Sequence, residues 1–254
     1  MKSLLMFGLF AVSLSAQRGY TVVAMSPAGG SMLPAKPAVK GAPYSAQAVF
    51  EITQTLSDGT RVIHNTYSRL YRDSEGRERC EETSGDAFKG IFISDPVEHA
   101  SYSLDLKKKI AKRTIGQEGV EMEMQGAVVR FIQDPSGLAS ETFTKGGLST
   151  GYAEPEVPLG TRMIEGILAV GNRVTVVALD GRTGTVTERW ISPDLQIALL
   201  MTETNSLLSA GPVTYKVMNI IRGEQPRALF EVPVDYKVVS PYKVRMLEIN
   251  RKEP

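Results

Sequence analysis

The feature that most limits what this chain can fold into is a two-residue alternation of apolar and polar side chains, interrupted again and again by turn residues. It is clearest in residues 186–236, which hold Trp190, the only tryptophan. Val186-Thr187-Glu188-Arg189-Trp190-Ile191 is followed by Ser192-Pro193-Asp194 and then by Leu195-Gln196-Ile197-Ala198-Leu199-Leu200-Met201-Thr202-Glu203-Thr204. Proline presets a turn dihedral and has no N–H to give to a central ladder, so the two runs read as an antiparallel hairpin. A third run, residues 213–221, follows Ala210-Gly211-Pro212, and Leu229-Phe230-Glu231-Val232-Pro233 with Tyr236 closes the meander as an anchored tail. A period of two sends alternate side chains to opposite faces of a sheet.

Upstream, the pattern begins at Tyr44. Ala46, Ala48, Phe50 and Ile52 alternate with Gln47, Val49, Glu51 and Thr53. Ser57-Asp58-Gly59-Thr60 and Asp73-Ser74-Glu75-Gly76 are tight turns, which makes residues 44–83 a three-strand meander. Five charges crowd one end of it, Arg69, Arg72, Arg77, Glu78 and Arg79, and predict a solvated outer face. Residues 88–94 and 100–106 are further strands, divided by Asp95-Pro96, and the Lys107-Lys108-Lys109 turn leads to residues 110–114. Residues 115–158 lose the period. Met122, Met124, Val128, Val129, Phe131 and Ile132 predict a short amphipathic helix or loop there, either a lid over the sheet or a surface insertion. Strand signals return at residues 159–178, giving about ten short strands, a spacing that favours an antiparallel sheet over a βαβ plan. The tail beyond residue 239 reads as an extra strand or helix.

The N-terminus sets the expected compartment. Lys2, the apolar run of residues 4–14, and Ser13, Ser15 and Ala16 follow the order of a secretory signal peptide, with an apolar run too short to span a membrane. Residues 1–16 are therefore expected to be the signal, 17–43 a flexible Pro/Gly/Ala linker, and 44–254 a single β-rich domain. The expected product is exported to the periplasm with no transmembrane span after signal cleavage. Cys80 is the only cysteine, so an internal disulfide is excluded and stability must come from the apolar core.

Charge and chemistry narrow the function. Lys+Arg 29 against Asp+Glu 28 leaves a net charge of +1, which gives no field to attract nucleic acid. His64 and His99, the two histidines, have no carboxylate at a zinc-site spacing. Folding the second and third strands about the Ser74-Glu75 turn pairs Cys80 with about Arg69 and leaves it out of register with His64, so a Cys-His catalyst is not expected. Glu81 and Glu82 point to opposite faces and cannot share a substrate. No cofactor, metal or catalytic residue is expected, and the chain reads as a non-enzyme. The Lys107-Lys108-Lys109 cluster reads as a solvated hairpin tip.

A Trp-Ile strand, a turn, a long return strand, a Tyr-initiated strand ending near Asn219-Ile220, then Leu229-Phe230-Glu231-Val232-Pro233 and Tyr236-Lys237-Val238, resembles the C-terminal half of the LolA-like family of lipoprotein-sorting carriers, and above all its uncharacterised secreted bacterial relatives. Tyr102 and Asp105 with the following turn extend the likeness into the N-terminal half, so that it covers residues 44–239. It implies a curved antiparallel half-barrel. The implied ligand is a lipid acyl chain or lipidated partner in an apolar cavity, with Phe50, Ile52, Tyr67, Ile93, Tyr102, Leu104, Trp190, Leu199 and Met201 as candidate lining residues. The alternative is an envelope protein-interaction or sensing module whose core is filled by its own side chains.

Overall fold

The structure is a computed structural model. It describes residues 38–56, 58–84, 87–115, 120–124, 127–134, 137–144, 151–178, 183–205, 210–240 and 243–246; the expected signal peptide lies outside them. The strands are β1 (Tyr44–Thr55), β2 (Arg61–Arg72), β3 (Glu78–Ser84), β4 (Ala87–Asp95), β5 (Ala100–Asp105), β6 (Ile110–Ile115), β7 (Val120–Met124), β8 (Ala127–Asp134), β9 (Gly137–Thr144), β10 (Gly151–Ala153), β11 (Val157–Ile164), β12 (Ile167–Ala178), β13 (Thr183–Ser192), β14 (Ile197–Asn205), β15 (Ala210–Arg222), β16 (Lys237–Val239) and β17 (Lys243–Met246), with one 3₁₀ turn at Arg227–Phe230.

Thirteen strands form one sheet in the order β10-β12-β13-β14-β15-β1-β2-β3-β4-β5-β6-β16, with β11 also on β12. This is the mainly β, antiparallel sheet that the alternation predicted, in the curved half-barrel form that the resemblance implied. β1 is its spine, hydrogen-bonded to β2 on one side and to β15 on the other, so the first strand of the domain joins the two meanders. All pairings in this sheet are antiparallel except β16 on β6. A second, four-stranded sheet has the order β17-β7-β8-β9.

That second sheet corrects the expected helix or loop at residues 115–158. Val128-Val129 and Phe131-Ile132 are doublets that imitate helical spacing, yet Val120-Glu121-Met122-Glu123-Met124 alternates strictly, and Gln125-Gly126 and Pro135-Ser136 separate runs of strand length. The C-terminal tail enters the same sheet as β17, antiparallel to β7.

One device builds three of the hairpins. Asp95 Oδ1 accepts from the N–H of Val97 and Glu98, Asp105 Oδ1 from Lys107 and Lys108, and Ser192 Oγ from Leu195. Each side chain thereby satisfies turn amides that lie outside the ladder. Each turn ends in a left-handed residue, His99 (φ 50°), Lys109 (φ 53°) and Gln196 (φ 52°).

The sheet is packed on both faces, at different places. On the first face, Tyr44, Ala46, Ala48 and Val217 meet Leu195 from the β13–β14 turn, all of them buried. The β13–β14 end of the sheet has therefore curled over its own spine. On the opposite, second face, Ile91, Ile93, Leu104 and Ala111 meet Phe230 and Tyr236 from the C-terminal segment. Lys109 fixes that segment: its carbonyl accepts from the Lys237 N–H at 2.8 Å, its ammonium lies 3.1 Å from Asp235, and it stacks 4.9 Å from the Tyr236 ring.

Charged side chains lock the first closure, and here the expectation of a solvated hairpin end is corrected. Arg72 is fully buried. It donates from Nη2 to the Leu195 carbonyl at 2.7 Å and from Nε to the Ala42 carbonyl at 2.9 Å, and its guanidinium lies 4.8 Å from the Tyr44 ring centroid. Arg77, also buried, pairs with Asp73, Glu75 and Asp95. Burial works against its charge, and the hydrogen bonds to Asp73 and Glu75 with the charges of Asp73 and Asp95 more than offset this, raising its pKa. Residues 38–43, the described end of the expected linker, lie against this turn. Gly41 N–H donates to the Ser74 carbonyl, and Ala38 and Val39 lie against Gly76, where an added Cβ would sit 3.1–3.2 Å from them.

A left-handed residue other than glycine costs about 1–2 kcal/mol, and His99 is exposed. The His99→Gly variant is accordingly expected to gain about 1 kcal/mol, less than the full strain because glycine also loosens the unfolded chain. Thermal unfolding should move up by about 2–4 °C; a lower midpoint contradicts this account of the turn.

Candidate functional site

Cross-strand register sorts the nine candidate residues by face. Phe50 pairs with Tyr215, which pairs with Met201, so Phe50 and Met201 share the first face. Ile52 lies two residues further along the same side of β1, and Leu199 two residues before Met201 at the β13–β14 bulge. The row Trp190-Leu200-Lys216-Val49-Tyr67 belongs to the second face. So do Ile93 with Tyr102, and Leu104 opposite Ile91. The nine therefore do not line one surface: four lie on the first face and five on the second.

The residues of the first face are mostly committed to packing. Leu199, Leu195 and Val217 are fully buried, and Phe50, Ile52 and Met201 are half-buried. On the second face, Ile93 and Leu104 lie under Phe230, while Tyr102 packs at the edge of that cluster and donates from its hydroxyl to Glu98. Trp190 stands apart from Tyr67 by four strand spacings, roughly 19 Å. Its ring lies over Gly171, where a Cβ would come within 2.6 Å, and Arg162 stacks on it at 3.8 Å. Gly171 is thus required by close approach, and the indole is enclosed between glycine and guanidinium.

The second face is covered only in part. Arg79 donates to the Leu229 carbonyl at 2.8 Å and to Glu81 at 2.8 Å, which makes this ion pair the margin of the C-terminal cover. Beyond it, across β15, β1, β2 and β3, lies an open groove of about 360 Å³, lined by Gln47, Ala48, Val49, Tyr67, Ser68, Arg69, Glu81, Thr83 and Met218. This is within the size range of small-ligand sites. Val49 and Met218 are half-buried and Tyr67 is 46% exposed. Asn65 Nδ2 reaches the Tyr67 hydroxyl at 3.5 Å. Of the nine candidates, Tyr67 alone lines this groove.

The other eight groove residues, Gln47, Val49, Arg69 and Met218 among them, are ones that sequence reading passes over. The available signal was parity: Gln47 and Val49 alternate with Ala46 and Ala48, and Arg69 stands two residues from Tyr67 on the same side of β2. Arg69, counted among the solvated charges, is the arginine of that cluster left at the groove. It is exposed and has no hydrogen-bond or ion-pair partner among the described residues, since its cross-strand neighbour Glu81 is held by Arg79.

Among the described residues, the single cysteine is not placed as a nucleophile. Cys80 pairs with Leu70, one residue from the expected Arg69, which turns it to the first face. Burial pushes its thiol up to about 12, the nearby carboxylates of Glu82, Glu78 and Glu81 adding to the rise and a hydrogen bond with Ser68 opposing it. At neutral pH it is a protonated, inert thiol. His64 and His99 are exposed. Among the described residues, no group of three or more His, Cys, Asp or Glu could hold a metal ion, and no helix is long and apolar enough to cross a membrane.

With the half-barrel sheet and its groove defined, comparison with known proteins adds the following. No protein-family model matches the sequence, and no curated protein matches it. Among solved structures the chain is similar to MucB, at 13% identity and TM-score 0.39 over 80% of this chain and 61% of that one. It is similar to the Pseudomonas aeruginosa MucA/MucB complex at 14% identity and TM-score 0.40, over 80% and 59%. It is also similar to a LolA superfamily protein from Nitrosomonas europaea, at 9% identity and TM-score 0.33 over 74% and 90%. The chain thus spans about three fifths of the first two structures. Likenesses of this depth carry no ligand or partner to this chain.

The raised Cys80 thiol sets a pH window. Above its ordinary pKa of 9.0 the unfolded chain loses this proton while the folded chain keeps it until about 12, so stability falls as pH rises through that interval. Buried Tyr44 and half-buried Tyr215, both raised chiefly by desolvation, extend the fall above pH 10. Chemical denaturation at pH 8 and pH 10.5 should show a loss in the native chain that is smaller in Cys80→Ser; equal losses would mean that the thiol is not buried.

Proposed function

We propose that this chain is an exported, periplasmic binding protein without catalytic activity, and that the open second-face groove is its ligand seat. The observation that carries the reading is the contrast between the faces. Leu195, Leu199 and Val217 fill the first, whereas the C-terminal cover stops at Arg79 and leaves an open groove on the second. The ligand class we favour is a lipid acyl chain or a lipidated partner lying over Val49, Tyr67 and Met218, where burial is driven by area removed from water, about 25 cal/mol per Å². The lipid is seated on an open sheet face, and the remaining eight candidate positions serve packing.

A second reading has its own support. Met163, Leu168, Val170 and Ile191 are exposed and adjoin one another in register on β11, β12 and β13, a surface suited to an envelope protein partner. The two readings separate in one experiment. Full-length protein recovered after export is extracted and analysed by mass spectrometry, beside a Val49→Trp variant that fills the groove. Acyl ligands present in the native protein and reduced at least tenfold in the variant support the lipid reading. Extracts empty in both, with a cross-linked protein partner retained in Val49→Trp, reject it in favour of the second.

A further inference from the structure

We infer that the groove selects an amphipathic carboxylate, a medium-chain fatty acid whose head is held by Arg69 and whose tail crosses the strands over Val49, Tyr67 and Met218. This inference rests on the groove being the ligand seat. Its basis is an unused charge. The neighbouring arginines are all committed: Arg72 to the Leu195 and Ala42 carbonyls, Arg77 to Asp73, Glu75 and Asp95, and Arg79 to Glu81 and the Leu229 carbonyl. Arg69 lines the groove with none of these engagements.

Register places it where a head group is needed. Arg69 lies between Gln47 on β1 and Glu81 on β3, and Gln47 pairs in turn with Met218 on β15. One residue pair along the strands, Val49 lies beside Tyr67. The groove thus has a guanidinium at its β2–β3 side and an apolar floor toward β15. From Arg69 on β2 to Met218 on β15 is two strand spacings, about 10 Å, which suits one medium-length chain and not a bundle of long ones. The Arg79–Glu81 pair closes the side toward the C-terminal segment, so the tail is directed away from it, toward Met218. A guanidinium presents paired N–H groups in the plane that a carboxylate accepts, which makes the contact bidentate. A free carboxylate is favoured over a bulkier head because Gln47 and Glu81 flank Arg69 closely on the adjacent strands.

The test is calorimetric titration of the full-length chain with sodium dodecanoate, dodecanol and dodecyl phosphate, each below its aggregation concentration. Dodecanoate is expected to bind about ten- to a hundredfold more tightly than dodecanol, the range of one charge-assisted contact. Arg69→Gln should erase that preference, bringing dodecanoate down to the affinity of dodecanol, and Arg69→Lys should keep part of it. Arg69 supports no other side chain, so both variants should unfold at the native temperature. Dodecanoate and dodecanol binding equally, or an undiminished preference in Arg69→Gln, overturns the carboxylate assignment while leaving the groove as an apolar seat. Binding of dodecyl phosphate without dodecanoate also overturns it. Failure of all three ligands to bind overturns the ligand seat itself.

Discussion

The structure depends on one buried guanidinium. Arg72 is fully buried, so its charge is tolerated because two carbonyls, the face of Tyr44 and the Glu78 carboxylate at 3.7 Å surround it. Its Nη1 has no hydrogen-bond partner, which leaves the ion pair with Glu78 as that atom's only compensation. The two carbonyls belong to residues far apart in sequence, Ala42 before β1 and Leu195 in the β13–β14 turn. Satisfying one side chain therefore fixes both the entry of the chain into the sheet and the curl of its far end over the spine. Removing a partner from such a site costs about 3–5 kcal/mol, a large share of the stability of an ordinary domain.

Closure of the first face determines what the second can do. With Leu195 seated on Tyr44, Ala46 and Ala48, the first face of the spine becomes core. The C-terminal segment then covers β4, β5 and β6 on the second face and ends at the Arg79–Glu81 pair. The open groove is what remains between these two coverings. Its polar rim, Gln47, Arg69, Glu81 and Thr83, and its apolar floor, Val49, Tyr67 and Met218, are adjacent because register puts alternate residues of four strands side by side.

The alternation of β1 and the Asp- and Ser-initiated turns were legible in the sequence, because both signals are local and their physics is backbone geometry. The sidedness of distant strands was not. A bulge resets parity, and breaks in register at Ser45/Gln47 and Trp190/Ile191 separate strands that a simple count of twos would align. Arg72 and Arg77 looked like solvent-facing charges, since sequence shows a charge but not the carbonyls and carboxylates that converge on it. At residues 120–134 apolar doublets obscured an alternation that the neighbouring turn residues disclosed. The groove escaped notice for a further reason: its boundary is set by where Phe230 lands, roughly 150 residues away from Arg79 in sequence, and no local pattern carries that information.

The central claim, that the first face is closed core and the second face receives the ligand, is tested most directly by thiol labelling of Met218→Cys and Leu199→Cys in a Cys80→Ser background, with and without dodecanoate. The account predicts rapid labelling at position 218 that slows when dodecanoate is added, and no labelling of the native protein at position 199 in either condition. Rapid, ligand-protected labelling at position 199, with position 218 indifferent to ligand, would contradict it.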